Sequence, residues 1–196
     1  MSLVICCATS EYGIIMSDSR ATDPTTCEVL SENKRKIVKF NDTLVIGYGG
    51  LADYCEAVLS DVTNCSPVQH MTMDDASHAI LAILESAFEQ SSIELDYSFM
   101  GFYVLGRTDD GRIAFDTIRS DITKKSIRVL RTIPKDGERR VSAFGASIDS
   151  PIAKINQAID KLGLMDGLQS IFPFVASQDC TVNTKTRYHS VGNLPR

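Results

Sequence analysis

The chain has 196 residues, of which 43% are hydrophobic and 23% charged, and a formal net charge of −5 at pH 7. These proportions are typical of a folded globular protein, and the length is enough for one domain over residues 1–196 with a core of its own. The acidic balance argues against nucleic acid or a membrane as a partner, since both need a basic face, and no apolar run is long enough to cross a bilayer.

The start of the chain and the cysteines indicate the compartment. Residues 1–10 lack the basic start and the small-residue cleavage site of a secretory signal. The six cysteines show no Cys-x-x-Cys spacing, and Cys6 and Cys7 are adjacent inside an apolar run. Free thiols in a reducing compartment are therefore expected instead of disulfides, and we expect a cytoplasmic protein.

The first half of the chain alternates between apolar runs and turn residues. Strands are predicted at 3–8 and 14–19, joined by a tight turn at Gly13, and a second pair at 36–40 and 44–48 around an Asn-Asp turn. Residues 23–32 are predicted to form a loop. A helix is expected at 51–61, and the clearest helix of the chain at 74–89, where apolar residues recur at helical spacing.

The second half repeats this order. Strands are predicted at 98–105, 113–118, 126–133 and 141–144, with Asp110-Gly111 as a hairpin turn. Pro151 begins a helix to residue 162 with Ile152 among its inward residues, 168–176 is a candidate fourth helix, and 181–191 a last strand. This order of elements (strands, two helices, strands, two helices) predicts an α+β fold, a four-layer αββα sandwich in which helices cover two packed sheets.

A small hydroxyl residue, Ser2, directly follows Met1. If Met1 is removed, the chain begins with a residue that carries both a nucleophile and a base, because a free α-amine titrates at about 7.7 to 8.0. A propeptide longer than Met1 would not be required. Ser2 is thus the candidate nucleophile.

Three linked segments carry a family resemblance. The run Ser-Asp-Ser-Arg-Ala-Thr at 17–22 resembles the Asp-x-Arg-Ala-Thr signature of proteasome β-type subunits, and Asp18 follows Ser2 at the separation that this family places between its terminal Thr and its Asp. Residues 34–42 resemble the strand that supplies the family's catalytic Lys, and residues 44–53 the strand, Gly pair and helix start that follow. The run at 145–152 is similar to the bacterial proteasome-like peptidases of the Anbu type.

The resemblance implies the same αββα sandwich and an amino-terminal-nucleophile (Ntn) hydrolase. Such a threonine-type peptidase, here with Ser in place of Thr, would cleave peptide or amide bonds without a cofactor. The resemblance further implies a homo-oligomer, as a ring or a helical array, that acts on peptides or unfolded proteins, with an ATP-dependent unfoldase as a candidate partner. Because Ser lacks the methyl group that stiffens Thr, we expect a slower enzyme.

The resemblance also assigns roles to residues of the first half. Lys36 would supply an ammonium that lowers the pKa of the nucleophile's hydroxyl and of the α-amine, with Lys34 as the alternative because strict counting favours it. Asp18 would hold this ammonium, and Arg20 would pack beside it. The backbone N–H of Gly49, or of the following glycine, would face the oxyanion.

The second half departs from the family pattern. Where the family has a Gly-Ser-Gly turn, this chain has Gly145-Ala146-Ser147, so Ser147 would present a hydroxyl displaced by one residue. Asp179 resembles the family's supporting Asp, but no Ser-Gly-Gly follows it, and Thr181 and Ser190 are candidate replacements. These departures leave an alternative open, a noncatalytic assembly subunit with a decayed site. No metal site is expected, because the three histidines are unpaired in sequence.

Overall fold

The structure, a computed structural model, describes residues 2–23, 25–90, 99–121, 124–145 and 151–195. Its strands are β1 Val4–Ala8, β2 Tyr12–Asp18, β3 Ala21–Thr22, β4 Val29–Ser31, β5 Ile37–Asn41, β6 Leu44–Gly50, β7 Phe99–Arg107, β8 Ile113–Asp121, β9 Ser126–Thr132, β10 Arg140–Phe144 and β11 Thr186–Gly192. Its helices are α1 Ala52–Cys65, α2 Met73–Gln90, α3 Pro151–Leu162 and α4 Leu164–Ala176.

The first sheet has the order β10-β1-β2-β11, with antiparallel neighbours throughout. Every residue of β1 is buried, which explains why this strand is a continuous apolar run: both of its faces are covered. In the register of β1 and β2, Val4 lies opposite Ser17 and Ala8 opposite Gly13. This pairing brings the start of the chain beside the end of β2.

The second sheet has the order β5-β6-β7-β8-β9, again antiparallel. The turn between β5 and β6 is closed by the Asn41 side chain, whose Oδ1 accepts from the Thr43 backbone N at 2.9 Å. Side-chain hydrogen bonds of this kind make Asn a common turn residue. The turn places the beginning of β5 next to the end of β6.

The two sheets and the two pairs of helices form four layers, and an apolar cluster fills each of the three spaces between them. One cluster lies between the sheets and includes Val4 and Ile15 of the first sheet with Val45 and Leu105 of the second. A second joins the outer face of the five-stranded sheet to α1 and α2, and a third joins the outer face of the four-stranded sheet to α3 and α4. The predicted αββα sandwich is therefore confirmed.

Several predicted boundaries were wrong. The predicted loop at 23–32 contains part of a two-stranded ribbon, since β4 pairs with β3; Asp23 Oδ1 accepts from two backbone N–H groups at 2.8 Å and so closes the turn. Helix α4 begins at Leu164, not at 168, and β11 begins at Thr186, not at 181. Ile152, expected to face inward, is 46% exposed: it lies in the first turn of α3, and the buried residues of this helix are Ile155 and Ile159.

The cysteines are free thiols. In the described ranges, no helix combines the length and apolar character needed to cross a membrane.

Candidate active site

Ser2 lies just before β1 and is only 7% exposed. The backbone N of Asp18 donates to the Leu3 carbonyl at 3.2 Å, so the pairing of β1 with β2 extends to the residue next to Ser2. On the other side, a side chain on Gly145 would place its Cβ 1.4 Å from the Ser2 carbonyl oxygen, and Gly145 has a φ of +110°. Only glycine fits at this position, and the Ser2 backbone therefore packs directly against the backbone that follows β10.

Asp18 is fully buried and its carboxylate is shared by three donors. Its Oδ1 accepts from the Leu3 backbone N at 3.0 Å and from Lys36 Nζ at 2.8 Å. Its Oδ2 accepts from the Arg20 backbone N at 2.9 Å. One carboxylate oxygen therefore joins the residue that follows Ser2 to a buried ammonium.

Lys36 is 1% exposed and immediately precedes β5. Its carbonyl accepts from the Tyr48 backbone N at 2.9 Å, which fixes its backbone to β6. Besides Asp18, Nζ donates to the Arg20 carbonyl. Burial lowers the pKa of Lys36, and the negative Asp18 only partly opposes this. Burial likewise raises the pKa of Asp18 against the influence of Lys36. The ammonium therefore loses its proton more easily than that of an exposed lysine.

Lys34 lies elsewhere. Its Nζ forms ion pairs with Glu56 at 2.9 Å and with Asp53 at 3.6 Å, both at the start of α1. The structure thus brings Lys36, and not Lys34, into contact with Asp18.

The two glycines at the end of β6 differ in the direction of their N–H groups. Successive N–H groups of an antiparallel strand point to opposite neighbours. Since the Tyr48 N–H is bonded to Lys36, the Gly49 N–H points toward β7, where Gly49 lies opposite Gly101. The Gly50 N–H then points back to the side of β6 on which Lys36 lies. This geometry favours Gly50 over Gly49 as the oxyanion donor.

Arg20 touches the candidate site with its backbone and the surrounding loops with its side chain. Its Nε donates to Glu32 Oε1 at 3.0 Å, and its Nη1 donates to the Cys180 carbonyl at 2.6 Å. Sequence reasoning missed Glu32 and its partner Asn183, whose amide donates to Glu32 at 2.5 Å. No local motif marks them, because they act across large sequence separations.

The candidates of the second half are more dispersed. Asp179, just after α4, accepts from the Thr181 backbone N at 2.9 Å and from its hydroxyl at 2.5 Å, and so braces its own loop. Ser190 lies opposite Ile14, toward the end of the sheet away from Ser2. Ala146 and Ser147 lie outside the described residues. No group of three or more His, Cys, Asp or Glu side chains that could hold a metal occurs in the part of the chain that the structure describes.

Among known proteins, this chain has a match in three-dimensional structure. No family model matches the sequence, and no curated protein matches it. Among solved structures, the eukaryotic HslV from Trypanosoma brucei matches with a TM-score of 0.59 and 12% identity, over 97% of this chain and 99% of that one. An identity this low shows the fold alone, and the Anbu-type detail stays a prediction. The chain therefore has the proteasome-like Ntn-hydrolase fold.

Proposed function

We propose that this chain hydrolyses peptide or amide bonds with Ser2 as an amino-terminal nucleophile, once removal of Met1 has freed its α-amine. The observation that supports this most is the Asp18 oxygen that accepts from both the Leu3 N and Lys36 Nζ. It links a buried ammonium to Leu3, the residue that follows the proposed nucleophile. A buried ion pair contributes little to stability compared with apolar residues, so a role in chemistry accounts better for its presence.

The reaction would run in two halves. The Ser2 amine takes the proton of the Ser2 hydroxyl, directly or through water, while Oγ attacks the substrate carbonyl carbon. The oxyanion so formed accepts from the Gly50 N–H and is stabilised by the Lys36 ammonium. The C–N bond then breaks, the α-ammonium gives its proton to the leaving amine, and an ester on Ser2 remains. Water hydrolyses this ester and returns the proton to Oγ.

The substrate and partners are also part of the proposal. We infer a peptide or unfolded protein as substrate, a homo-oligomer in the form of a ring or helical array, and a cytoplasmic location. An ATP-dependent unfoldase would deliver folded substrates. The similarity to HslV supports these points only through the shared fold.

The experiment has two steps. Intact-mass measurement shows whether Met1 is removed; in parallel, a ubiquitin fusion cleaved before Ser2 supplies a chain that begins with Ser2 in any case. An epoxyketone, which bonds to both the hydroxyl and the free amine of such a residue, should then add once to this chain and not to its Ser2→Ala variant.

A chain that begins with Ser2, is folded by circular dichroism and forms no adduct would contradict the proposal. That result would favour the alternative, a noncatalytic assembly subunit.

A further inference from the structure

The segment Asp18–Arg20 is held from its far side by a hydrogen-bond network that the reaction above does not use. Asn183, which is 7% exposed, accepts from the Ser19 backbone N at 3.1 Å through its Oδ1. Its Nδ2 donates to Glu32 Oε2 at 2.5 Å. Both bonds form in a single orientation of the Asn183 amide.

Glu32 connects this amide to the next residue along the segment. Its other carboxylate oxygen, Oε1, accepts from Arg20 Nε at 3.0 Å and lies 2.9 Å from Nη2. Its carbonyl accepts from the Ser19 hydroxyl at 3.0 Å. Asn183 and Glu32 thus fix both Ser19 and Arg20, although they come from a loop before β11 and from the end of the β3–β4 ribbon.

The position of Arg20 matters because its backbone forms part of the ion-pair site. The Arg20 N–H donates to Asp18 Oδ2, and the Arg20 carbonyl accepts from Lys36 Nζ. A shift of this peptide would therefore move one acceptor away from the ammonium and one donor away from the carboxylate. Asp18 would then be free to rotate away from the Leu3 N.

We propose that Asn183 and Glu32 are positioning residues for the hydrolysis, which hold the Arg20 backbone so that the Asp18–Lys36 pair stays aligned with Ser2. The inference rests on the proposed function. Neither residue touches the reacting atoms; both act through Ser19 and Arg20.

The exposure of Glu32 and Arg20 makes it possible to distinguish a positioning role from a purely structural role. The Glu32 side chain is 46% exposed and that of Arg20 24% exposed. Exposed ion pairs contribute little to stability. Loss of the Glu32 charge should therefore leave the fold nearly unchanged, while a displacement of order 1 Å in a catalytic group lowers turnover by about 100-fold.

The test compares Glu32→Gln and Asn183→Ala with the parent chain, all beginning with Ser2. We expect kcat to fall about 10-fold to 100-fold in both variants, with KM within about twofold. Glu32→Asp should recover part of the loss because it restores the charge. Asp160→Asn is the control, since it removes another surface ion pair, that of Asp160 on α3 with Arg139 at 2.7 Å; its kcat should not change.

A second measurement does not depend on turnover. Amide hydrogen exchange at Ser19 and Arg20 should become at least about 10-fold faster in Asn183→Ala, with exchange in β7 and β8 unchanged. The Lys36 side chain, followed by NMR, should also titrate at a different pH in this variant.

The outcomes are distinct. Unchanged kcat in Asn183→Ala, or an unchanged Lys36 titration if the parent chain is inactive, would overturn the positioning role. An inactive parent chain with altered exchange and titration would instead refute the hydrolase proposal, and it would leave the hold of Asn183 on the ion pair established.

Discussion

Replacing Lys36 by Met tests the ion pair most directly. The change removes the ammonium and keeps an unbranched side chain of similar length, so Asp18 stays buried with two backbone donors, the Leu3 N and the Arg20 N. Breaking a buried pair from one side typically lowers the free energy of unfolding by about 3–5 kcal/mol. Because the two donors remain, we expect the lower end, about 3 kcal/mol at pH 8.

The loss should depend on pH with a definite sign. Burial already raises the pKa of Asp18, and loss of Lys36 removes the main influence that opposes it. In the variant, the folded chain therefore holds the Asp18 proton to a higher pH than the unfolded chain does. Stability is lost as pH rises through the folded pKa and recovered below it, so the deficit should be smaller at pH 5 than at pH 8.

Urea unfolding followed by circular dichroism measures both values. Lys34→Met is the matched control: it breaks a more exposed pair with Glu56 and should lower the unfolding free energy by less than about 1 kcal/mol. The double variant Asp18→Asn with Lys36→Met should be more stable than Lys36→Met alone, since no buried charge is left unpaired. Equal losses for the two lysine variants, without pH dependence, would refute the reasoning, and full turnover in Lys36→Met would refute its catalytic role.

Three further predictions concern single features. Gly145→Ala should lower the free energy of unfolding by roughly 3 kcal/mol or more, measured in urea, because its Cβ would overlap the Ser2 carbonyl at a positive φ; a stable variant would contradict that contact. Ser17→Ala should be neutral or stabilising by about 1 kcal/mol in thermal unfolding, since the buried Ser17 Oγ has no hydrogen-bond partner among the described residues; a clear loss would reveal a partner. As pH rises, turnover should begin to fall below about 10.4, the ordinary pKa of lysine, because burial lowers the pKa of Lys36 and the reaction requires its ammonium; a rate still rising at pH 10 would argue against that requirement.

The sequence predicted the layers well because their signals are local. Continuous apolar runs indicated strands covered on both faces, such as β1, and helical spacing indicated α2 and α3. The β3–β4 ribbon was missed because its strands are short and Val29 and Leu30 are exposed, so no burial pattern marks them. Its turn depends on the Asp23 side chain instead.

The site was predictable only in part. Motif spacing pointed to Asp18 and to two lysines, but the choice between these depends on which one reaches Asp18 in space. Gly49 and Gly50 differ in the neighbour that each N–H faces, which reverses with every residue and is known only from the register. Asn183 bonds to Ser19 across 164 residues, and no local pattern reports such a contact.

The shared oxygen of Asp18 also bears on how such a site would decay. If one of the two charged residues is lost, the other stays buried without an ion-pair partner. A chain that lacks only one of them is therefore less stable than the parent chain or a chain in which both are replaced by apolar residues. A lineage that no longer needed the chemistry would gain by exchanging both residues for apolar ones of similar volume. Lys36 and Asp18 are both present here, 2.8 Å apart, as the proposed hydrolysis requires.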